Sequence, residues 1–360
     1  MPSTSGSIDR AARLTVLGFR RVFSVLLLRV ARVAPFAALA LLLGAWALCV
    51  WGRDQSLFGI LATHLPATLY GLLALAALLA CALAPSWPGA LAAIACLPLA
   101  FVPLGGWTLA SQKPATATGY RALTWNVEQW SYGGAQLARL VADVAPDVFC
   151  LQEARSYGTY PNDVEWQAFE AGLPDYRLLR FGDMAIGTRW PVLDERRTRL
   201  HPELWRRPLL EVTLQAPDGG RLRVLNAHLV YTGYYGKRPS ALVTSARERR
   251  AQAERIIEHV AASSDPTLVC GDLNASPNSE VLSVLQQRLS DAWRLRGQGF
   301  GTTSRGWLSR RIDYLLVSGV EVGDIRVLDA SLSDHRPVTA TFSLAPALAR
   351  REAPTSTHPR

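Results

Sequence analysis

Twenty residues without a charge, VAPFAALALLLGAWALCVWG, separate Arg32 from Arg53, and the 58 residues from Gln55 to Gln112 contain no Asp, Glu, Lys or Arg. A helix of roughly 20 apolar residues crosses a bilayer core, so these stretches read as membrane spans and not as a water-soluble fold. The first gives one span. The second gives two more, with a turn at Pro85-Ser86-Trp87-Pro88-Gly89, where two prolines and a glycine interrupt a helix. Three spans are expected, with two as the alternative. A cleaved signal peptide would have a shorter apolar core followed by polar sequence, whereas here the apolar character returns twice. His64 falls in the second span, where it reads as a packed or interfacial histidine in preference to a proton relay.

Arg10, Arg13, Arg20, Arg21, Arg29 and Arg32 all precede the first span, and such clusters stay on the cytoplasmic side. An odd number of spans then puts the chain after residue 113 outside the cytoplasm. Residues 14–31 alternate apolar runs with Arg, a pattern for an amphipathic helix on an anionic inner surface. The formal charge of +9 therefore does not demand nucleic acid: residues 1–32 hold six Arg and one Asp, while residues 120–360 hold 30 basic and 27 acidic residues. The five cysteines have neither metal-ligand nor disulfide-framework spacing. Cys150 and Cys270 fall in apolar strands and read as small core residues.

The chain is thus expected to comprise a basic cytoplasmic segment over 1–32, a transmembrane region over 33–112, a linker over 113–119 (KPATATG), a soluble domain over 120–345 and a disordered tail over 346–360. In the soluble domain, strand-like runs follow one another: RALTWNV, DVFCLQE, YRLLRF, MAIGTRW, LLEVTLQ, LRVLNAHLV, TLVCGDLN, RIDYLLVS and PVTATFS. Helical periodicity appears over 135–143 and 246–261, the latter with Ile256, Ile257 and Val260 behind a charged outer surface. Many strands are apolar throughout, as strands covered on both faces are. A two-sheet α/β sandwich with outer helices fits.

Polar groups cluster at the strand ends: Asn126 with Glu128, Gln152-Glu153, Asn226 and His228, Asp272 and Asn274, Asp313, and Ser333-Asp334-His335. Taken singly, an Asn or Asp after a strand is an ordinary turn or cap residue. Together they have one chemical sense. Carboxylates and amides such as Glu153, Asn126, Glu128 and Asp334 are hard donors suited to Mg²⁺ or Mn²⁺, His228 and His335 can donate to a phosphate or exchange a proton, and Asp313 can orient one histidine. There is no G-x-S-x-G, P-loop, H-E-x-x-H or Cys/His zinc cluster.

The ordered series WNVE, LQE, NAHL, GDLN, RIDY and SDHRPV, spanning residues 122–342, resembles the endonuclease/exonuclease/phosphatase superfamily, which contains DNase I, abasic-site endonucleases, neutral sphingomyelinases and inositol polyphosphate 5-phosphatases. MAIGTRWPV is similar to the strand of that family that ends in a Ser/Thr-Arg-aromatic-Pro turn. The resemblance implies a four-layer α/β/β/α sandwich with the site at one end. It implies metal binding by Asn126 and Glu153, with Glu128 and Asp334 as further ligands. Asp272 and Asn274 would position or activate water, His335 would pair with Asp313 and act on the phosphoryl group, and His228 would stabilise its charge, with the acid role open between the two histidines.

The anchor favours a lipid-linked phosphate or pyrophosphate. The chain resembles the three-span bacterial members of this superfamily, including those associated with glycopeptide (teicoplanin) resistance, which implies an undecaprenyl-pyrophosphate type of substrate. YTGYYGKRPS, residues 231–240, reads either as a lip meeting lipid or phosphate or as a loop whose tyrosines pack on the sandwich. The competing activities are an extracytoplasmic Mg-dependent nuclease and, in another class, an inactive membrane scaffold.

Overall fold

We describe the chain from a computed structural model for residues 5–110, 119–155, 163–200 and 208–344, with side chains from Arg20 onward. The tail over 346–360 and, except for Gly119, the linker over 113–119 lie outside the described residues. The chain divides into two compact units, residues 1–47 with 67–105, and residues 48–66 with 106–360.

Four helices precede the strands of the sandwich: α1 (Ser5–Ala47), α2 (Leu57–His64), α3 (Ala67–Leu83) and α4 (Trp87–Leu99). The first unit contains α1, α3 and α4. The amphipathic stretch expected over 14–31 is part of α1, a continuous helix of 43 residues that runs on into the first apolar stretch. Ser86 caps α4 by accepting the Gly89 N–H at 3.2 Å. Pro88 stands in the first turn of that helix, where its missing N–H costs nothing, so the break between α3 and α4 is shorter than Pro85–Gly89. Arg20–Gln55 (36 residues) and Trp87–Leu104 (18 residues) are long and apolar enough to cross a membrane. The helices α2 and α3, bent by 84° at their junction, add a third span if counted as one.

The second unit contains α2 and a sandwich. Its strands are β1 (Thr108–Leu109), β2 (Tyr120–Asn126), β3 (Val148–Gln152), β4 (Arg177–Phe181), β5 (Met184–Thr188), β6 (Val192–Arg199), β7 (Pro208–Gln215), β8 (Arg221–His228), β9 (Thr267–Asp272), β10 (Ser290–Asp291), β11 (Gln298–Gly299), β12 (Asp313–Ser318), β13 (Val320–Val327) and β14 (Val338–Leu344). Its other helices are α5 (Gly134–Val144), α6 (Val164–Ala171), α7 (Pro239–Ala261), α8 (Glu280–Leu285) and α9 (Ala292–Arg296). One six-stranded sheet has the order β13-β14-β2-β3-β5-β4 and the other β10-β12-β9-β8-β7-β6, while β1 pairs with β11. Each large sheet has one parallel pair, β2 with β3 and β8 with β9. A parallel pair needs a crossover, supplied by α5 in one sheet and α7 in the other.

The layers follow from where the apolar residues go. Val148, Cys150, Ile186, Leu210, Val224 and Cys270 meet between the sheets. Leu137, Val141 and Phe169, from α5 and α6, cover the outer face of the first sheet at Leu123, Trp125 and Phe149. Ala253, Ile256 and Val260 of α7 cover the second at Leu225, Val269 and Leu316. The fold is therefore an α/β/β/α sandwich.

Arg249 departs from the expectation that the charges of α7 face solvent, because it is fully buried. The residues Ala246, Arg249, Ala253, Ile256 and Val260 recur at three- and four-residue steps, which puts the guanidinium on the core stripe. His64 likewise is not simply a residue within a long apolar helix. It ends α2, which groups with the sandwich, and it is buried.

A buried polar cluster in the interior joins the sheets. The Asn226 Nδ2 group on β8 donates to the carbonyls of Leu151 at 2.9 Å and Ala185 at 2.8 Å, on β3 and β5 of the other sheet. Its Oδ1 accepts from Gln152 Nε2 at 2.8 Å, and Gln152 also donates to Thr124 Oγ1 at 3.2 Å. Replacing Asn226 by Ala removes three buried hydrogen bonds between the sheets, and should lower unfolding free energy by about 2–4 kcal/mol in denaturant titration. A loss under about 0.5 kcal/mol, the range of ordinary surface substitutions, would show that the sheets are not held together here.

Candidate active site

Because β2, β3, β8 and β9 are the parallel strands, their carboxyl ends lie where crossover loops begin, and side chains at those ends share one edge of the sandwich. Asn126 ends β2, Glu153 follows β3, and His228 and Asp272 end β8 and β9. Asp313 opens β12, paired directly with Asp272. His335 arrives from the loop before β14. Its place is set by the Trp125 indole N–H donating to the His335 carbonyl at 3.1 Å, and by Ser333, whose Oγ accepts the His335 N–H at 3.0 Å and donates to the Asn126 carbonyl at 2.7 Å.

The structure brings six of the sequence-derived residues together. Asn126 Nδ2 donates to Glu153 Oε1 at 3.2 Å and to Asp272 Oδ2 at 3.1 Å, spanning both sheets. Its Oδ1 accepts the Glu128 N–H at 3.0 Å. His228 Nε2 lies 3.9 Å from Glu153 and 3.6 Å from Asp272. His335 Nδ1 lies 2.8 and 3.0 Å from the two oxygens of Asp313. A carboxylate only accepts, so that nitrogen carries the proton and Nε2 faces the site, 3.8 Å from Asp272. Burial opposes charge on His335, but Asp313 first, then Asp272 and Asp334, outweigh it and raise the imidazole to about 10.

The other three residues stand differently. Glu128 Oε2 accepts the Asp334 N–H at 3.0 Å, tying the two acidic residues together. The Asp334 carboxylate is largely exposed and reaches 4.0 Å from His335 Nε2. Asn274 gives its backbone N–H to Asp272 Oδ1 at 2.9 Å and turns its side-chain amide to the Leu229 carbonyl at 3.1 Å.

Two residues absent from the sequence reading join the site. Asp183, in the turn between β4 and β5, places Oδ2 3.7 Å from His228 Nδ1, on the side away from Asp272. Gln129 Nε2 donates to Glu153 Oε2 at 3.3 Å. Within FGDM an Asp looks like any turn residue, so nothing local marks Asp183. Strain does mark this edge. Glu128, Gln129, Trp130, Glu153 and Asn274 have φ of 47°, 54°, 65°, 54° and 49°, a left-handed conformation that non-glycine residues hold only where surrounding structure imposes it.

The donor set fits a hard divalent cation. Ligand atoms of Asp272, Asp313 and His335 lie within 4.8 Å of one another, all buried. Among the described residues, the only basic side chains within ion-pair distance of Glu153 or Asp272 are the imidazoles of His228 and His335. Converging carboxylates without an ammonium or guanidinium suit a cation with oxygen ligands. The arrangement can bind a cation, hold a water against Asp272, and present imidazole N–H groups to a phosphoryl oxygen.

A phosphoester hydrolase is the class that this fold and site define. The sequence profile of the Endonuclease/Exonuclease/phosphatase family matches residues 123–335, more than half of the chain, and the chain belongs to that family. It is a hydrolase acting on phosphoric ester bonds, as the members of this family are. Solved structures with the same fold include an endonuclease/exonuclease/phosphatase from Bacteroides vulgatus, 20% identical, covering 63% of this chain and 100% of its own at a TM-score of 0.53. The Bacteroides thetaiotaomicron mannosyl-6-phosphatase is 17% identical, covers 62% of this chain and 100% of its own, and has a TM-score of 0.51. D. rerio TDP2, complexed with a single-strand DNA product, is 19% identical, with 63% and 100% covered and a TM-score of 0.52. These likenesses concern the fold. No curated protein matches the chain.

Asp183→Asn should lower kcat about ten- to hundredfold, the usual effect of losing the partner that orients an active-site histidine, with an unchanged far-UV circular dichroism spectrum. Wild-type turnover in that variant would remove Asp183 from the site.

Proposed function

We propose that this chain is a membrane-anchored, divalent-metal-dependent phosphoesterase that hydrolyses a phosphate or pyrophosphate ester carried on a lipid, at the extracytoplasmic face. The carrying observation is the convergence of Asn126 and Glu153 from one sheet with His228, Asp272 and Asp313 from the other.

Glu153 and Asn126 would hold the cation, which is Mg²⁺ or Mn²⁺ by the hardness of its ligands. A carbonyl oxygen has two lone pairs, so the bond from the Glu128 N–H leaves Asn126 Oδ1 one to offer. Glu128 and Asp334 supply further oxygens. When bound, such a cation supplies positive charge that neutralises phosphoryl oxygens. Asp272, held by the Asn126 amide and the Asn274 N–H, orients the attacking water and accepts its proton. His335, kept charged by Asp313, donates from Nε2 to the phosphoryl group, and His228, with Asp183 beside its Nδ1, donates from Nε2 as well. Phosphoryl transfer needs little beyond such positioning and charge stabilisation.

The lipid reading rests on the apolar helices of 36 and 18 residues and on the short sequence between them and the sandwich. Six Arg ahead of the first apolar stretch, with three spans, would put the sandwich outside. Tyr231 and Tyr235 are exposed, beside exposed Lys237 and Arg238, as a lip toward lipid or phosphate would be. The same features favour kinship with the three-span teicoplanin-resistance type. A surface nuclease is the second reading, favoured by the likeness in fold to a TDP2 complexed with DNA.

Purified full-length protein should release phosphate from a prenyl pyrophosphate with Mg²⁺ and not with EDTA, and should leave supercoiled plasmid intact. Nicking without phosphate release would replace the lipid reading by the nuclease. Glu153→Gln should lower kcat by at least about a hundredfold, the effect of removing one charge-stabilising group, while thermal unfolding stays within a few degrees of wild type. A variant that fails to fold yet retains turnover in its soluble fraction would contradict the ligand assignment.

A further inference from the structure

Beneath the catalytic edge, two cysteines from different sheets face each other, and the hydrolytic reading above has no use for either. Cys150 lies on β3 and Cys270 on β9, both fully buried in the core between the sheets. Strand pairing sets their places. Cys270 stands opposite Asn226 in the parallel pair of β8 and β9, and the Asn226 amide crosses to the Leu151 carbonyl and to Gln152. Leu151 and Gln152 directly follow Cys150, and alternation along a strand puts Cys150 on the same face of β3 as Gln152. The two thiols therefore meet beside that amide, where they share a side-chain hydrogen bond.

The backbones approach closely at this point. Cα atoms of β3 and β9 come within 8 Å of one another, whereas stacked sheets usually lie about 10 Å apart. A disulfide joins Cα atoms about 4.4–6.8 Å apart, so sheets at their usual spacing could not be bridged without backbone movement. Here two small side chains face each other and most of that movement is already made. The other cysteines, Cys49, Cys81 and Cys96, lie in the helical segments ahead of the sandwich, and all five are thiols in this structure.

We propose that Cys150 and Cys270 are joined by a disulfide bond in the folded enzyme, a covalent link between the two sheets directly beneath the active site. The bond rests on the extracytoplasmic placement of the sandwich, because thiols are oxidised in such compartments and kept reduced in the cytosol. The oxidant is the disulfide of a thiol–disulfide oxidoreductase. One cysteine thiolate attacks a sulfur of that disulfide, forming a mixed disulfide and expelling a thiolate. The second cysteine thiolate then attacks the first cysteine's sulfur, which closes the Cys150–Cys270 bond and expels the other thiolate. Two protons and two electrons leave the cysteines, and the oxidant's disulfide is reduced to two thiols. Burial pushes the Cys150 thiol up and so disfavours the thiolate that exchange needs, which places the reaction before the sheets close over it. Cys270 stands two residues before Asp272 and Cys150 three before Glu153, so the link holds together the strand ends that carry the site.

The test uses full-length protein. Membranes of the producing cells are denatured and treated with N-ethylmaleimide, with and without prior reduction, and the protein is weighed intact by mass spectrometry. Of the five cysteines, three should react without reduction and all five after it, and peptide mapping should return Cys150 linked to Cys270. Purified protein in detergent, reduced in urea and returned to buffer with oxidised and reduced glutathione, should regain the same bond. Return without an oxidant should lower its thermal unfolding temperature by roughly 5–15 °C, the effect of losing a link that closes a long loop, and should leave a Cys150→Ala/Cys270→Ala variant unmoved. Five free thiols after glutathione treatment, a pairing with any other cysteine, or an equal shift in the double variant would overturn the bond. Five free thiols in the membranes, with the Cys150–Cys270 bond formed on glutathione treatment, would uphold the pairing and sink the extracytoplasmic placement.

Discussion

The site exists because two sheets are fixed face to face, and the Asn226 amide is a buried contact that helps to fix them. Neither sheet alone carries enough chemistry. One contributes Asn126 and Glu153, the other His228, Asp272 and Asp313, and the Asn126 amide closes the seam by donating to a carboxylate from each. Asn226 sits two residues before His228, and its partner Gln152 directly precedes Glu153. A hydrogen-bonded pair in the apolar interior thus sets the relative position of the functional residues just above it. Apolar packing between sheets is tolerant of small slides, whereas a buried amide with three hydrogen bonds to the facing sheet is not.

The quasi-symmetry of the sandwich explains why six separate motifs are required. Each sheet has one parallel pair with one crossover helix, so each offers two strand ends at the same edge. The antiparallel neighbours contribute only through their first residues, as Asp313 does, or through the loop ahead of them, as His335 does. Catalytic groups therefore arrive from distant parts of the chain, and their spacing in sequence reflects the lengths of intervening loops and helices, not the distances between them.

That relation decides what could be read in advance. Asn126, Glu153, His228, Asp272, Asp313 and His335 were legible because each interrupts or borders an apolar strand, where a polar residue needs a reason. Asp183 was not, because it sits in a tight turn where Asp is ordinary. The edge strands β6 and β13 were missed for a related cause. VLDERRTR and VEVGDIRV carry charges, as edge strands do to discourage pairing with other chains, and so lack the apolar signature of the central strands. Arg249 was hidden among RERR, where charge suggested solvent, although its spacing from Ala246, Ala253 and Ile256 placed it on the core stripe. The docking of residues 48–66 had no local signal, since its apolar residues are equally suited to lipid and to the sandwich surface.

This last ambiguity bears on how the chain is divided. Here the second unit takes in residues 48–66, and β1 pairs with β11 ahead of the linker, so Thr108 and Leu109 are bound to Gly299 and Gln298. The chain consequently passes between the two units at residues 47–48, 66–67 and 105–106. The cluster of Asp54, His64 and Arg249 then has a reason to be polar: apolar docking of α2 would compete with burial in lipid, whereas the bond from the Glu280 N–H to Asp54 and that from Arg249 to His64 form only against α8 and α7.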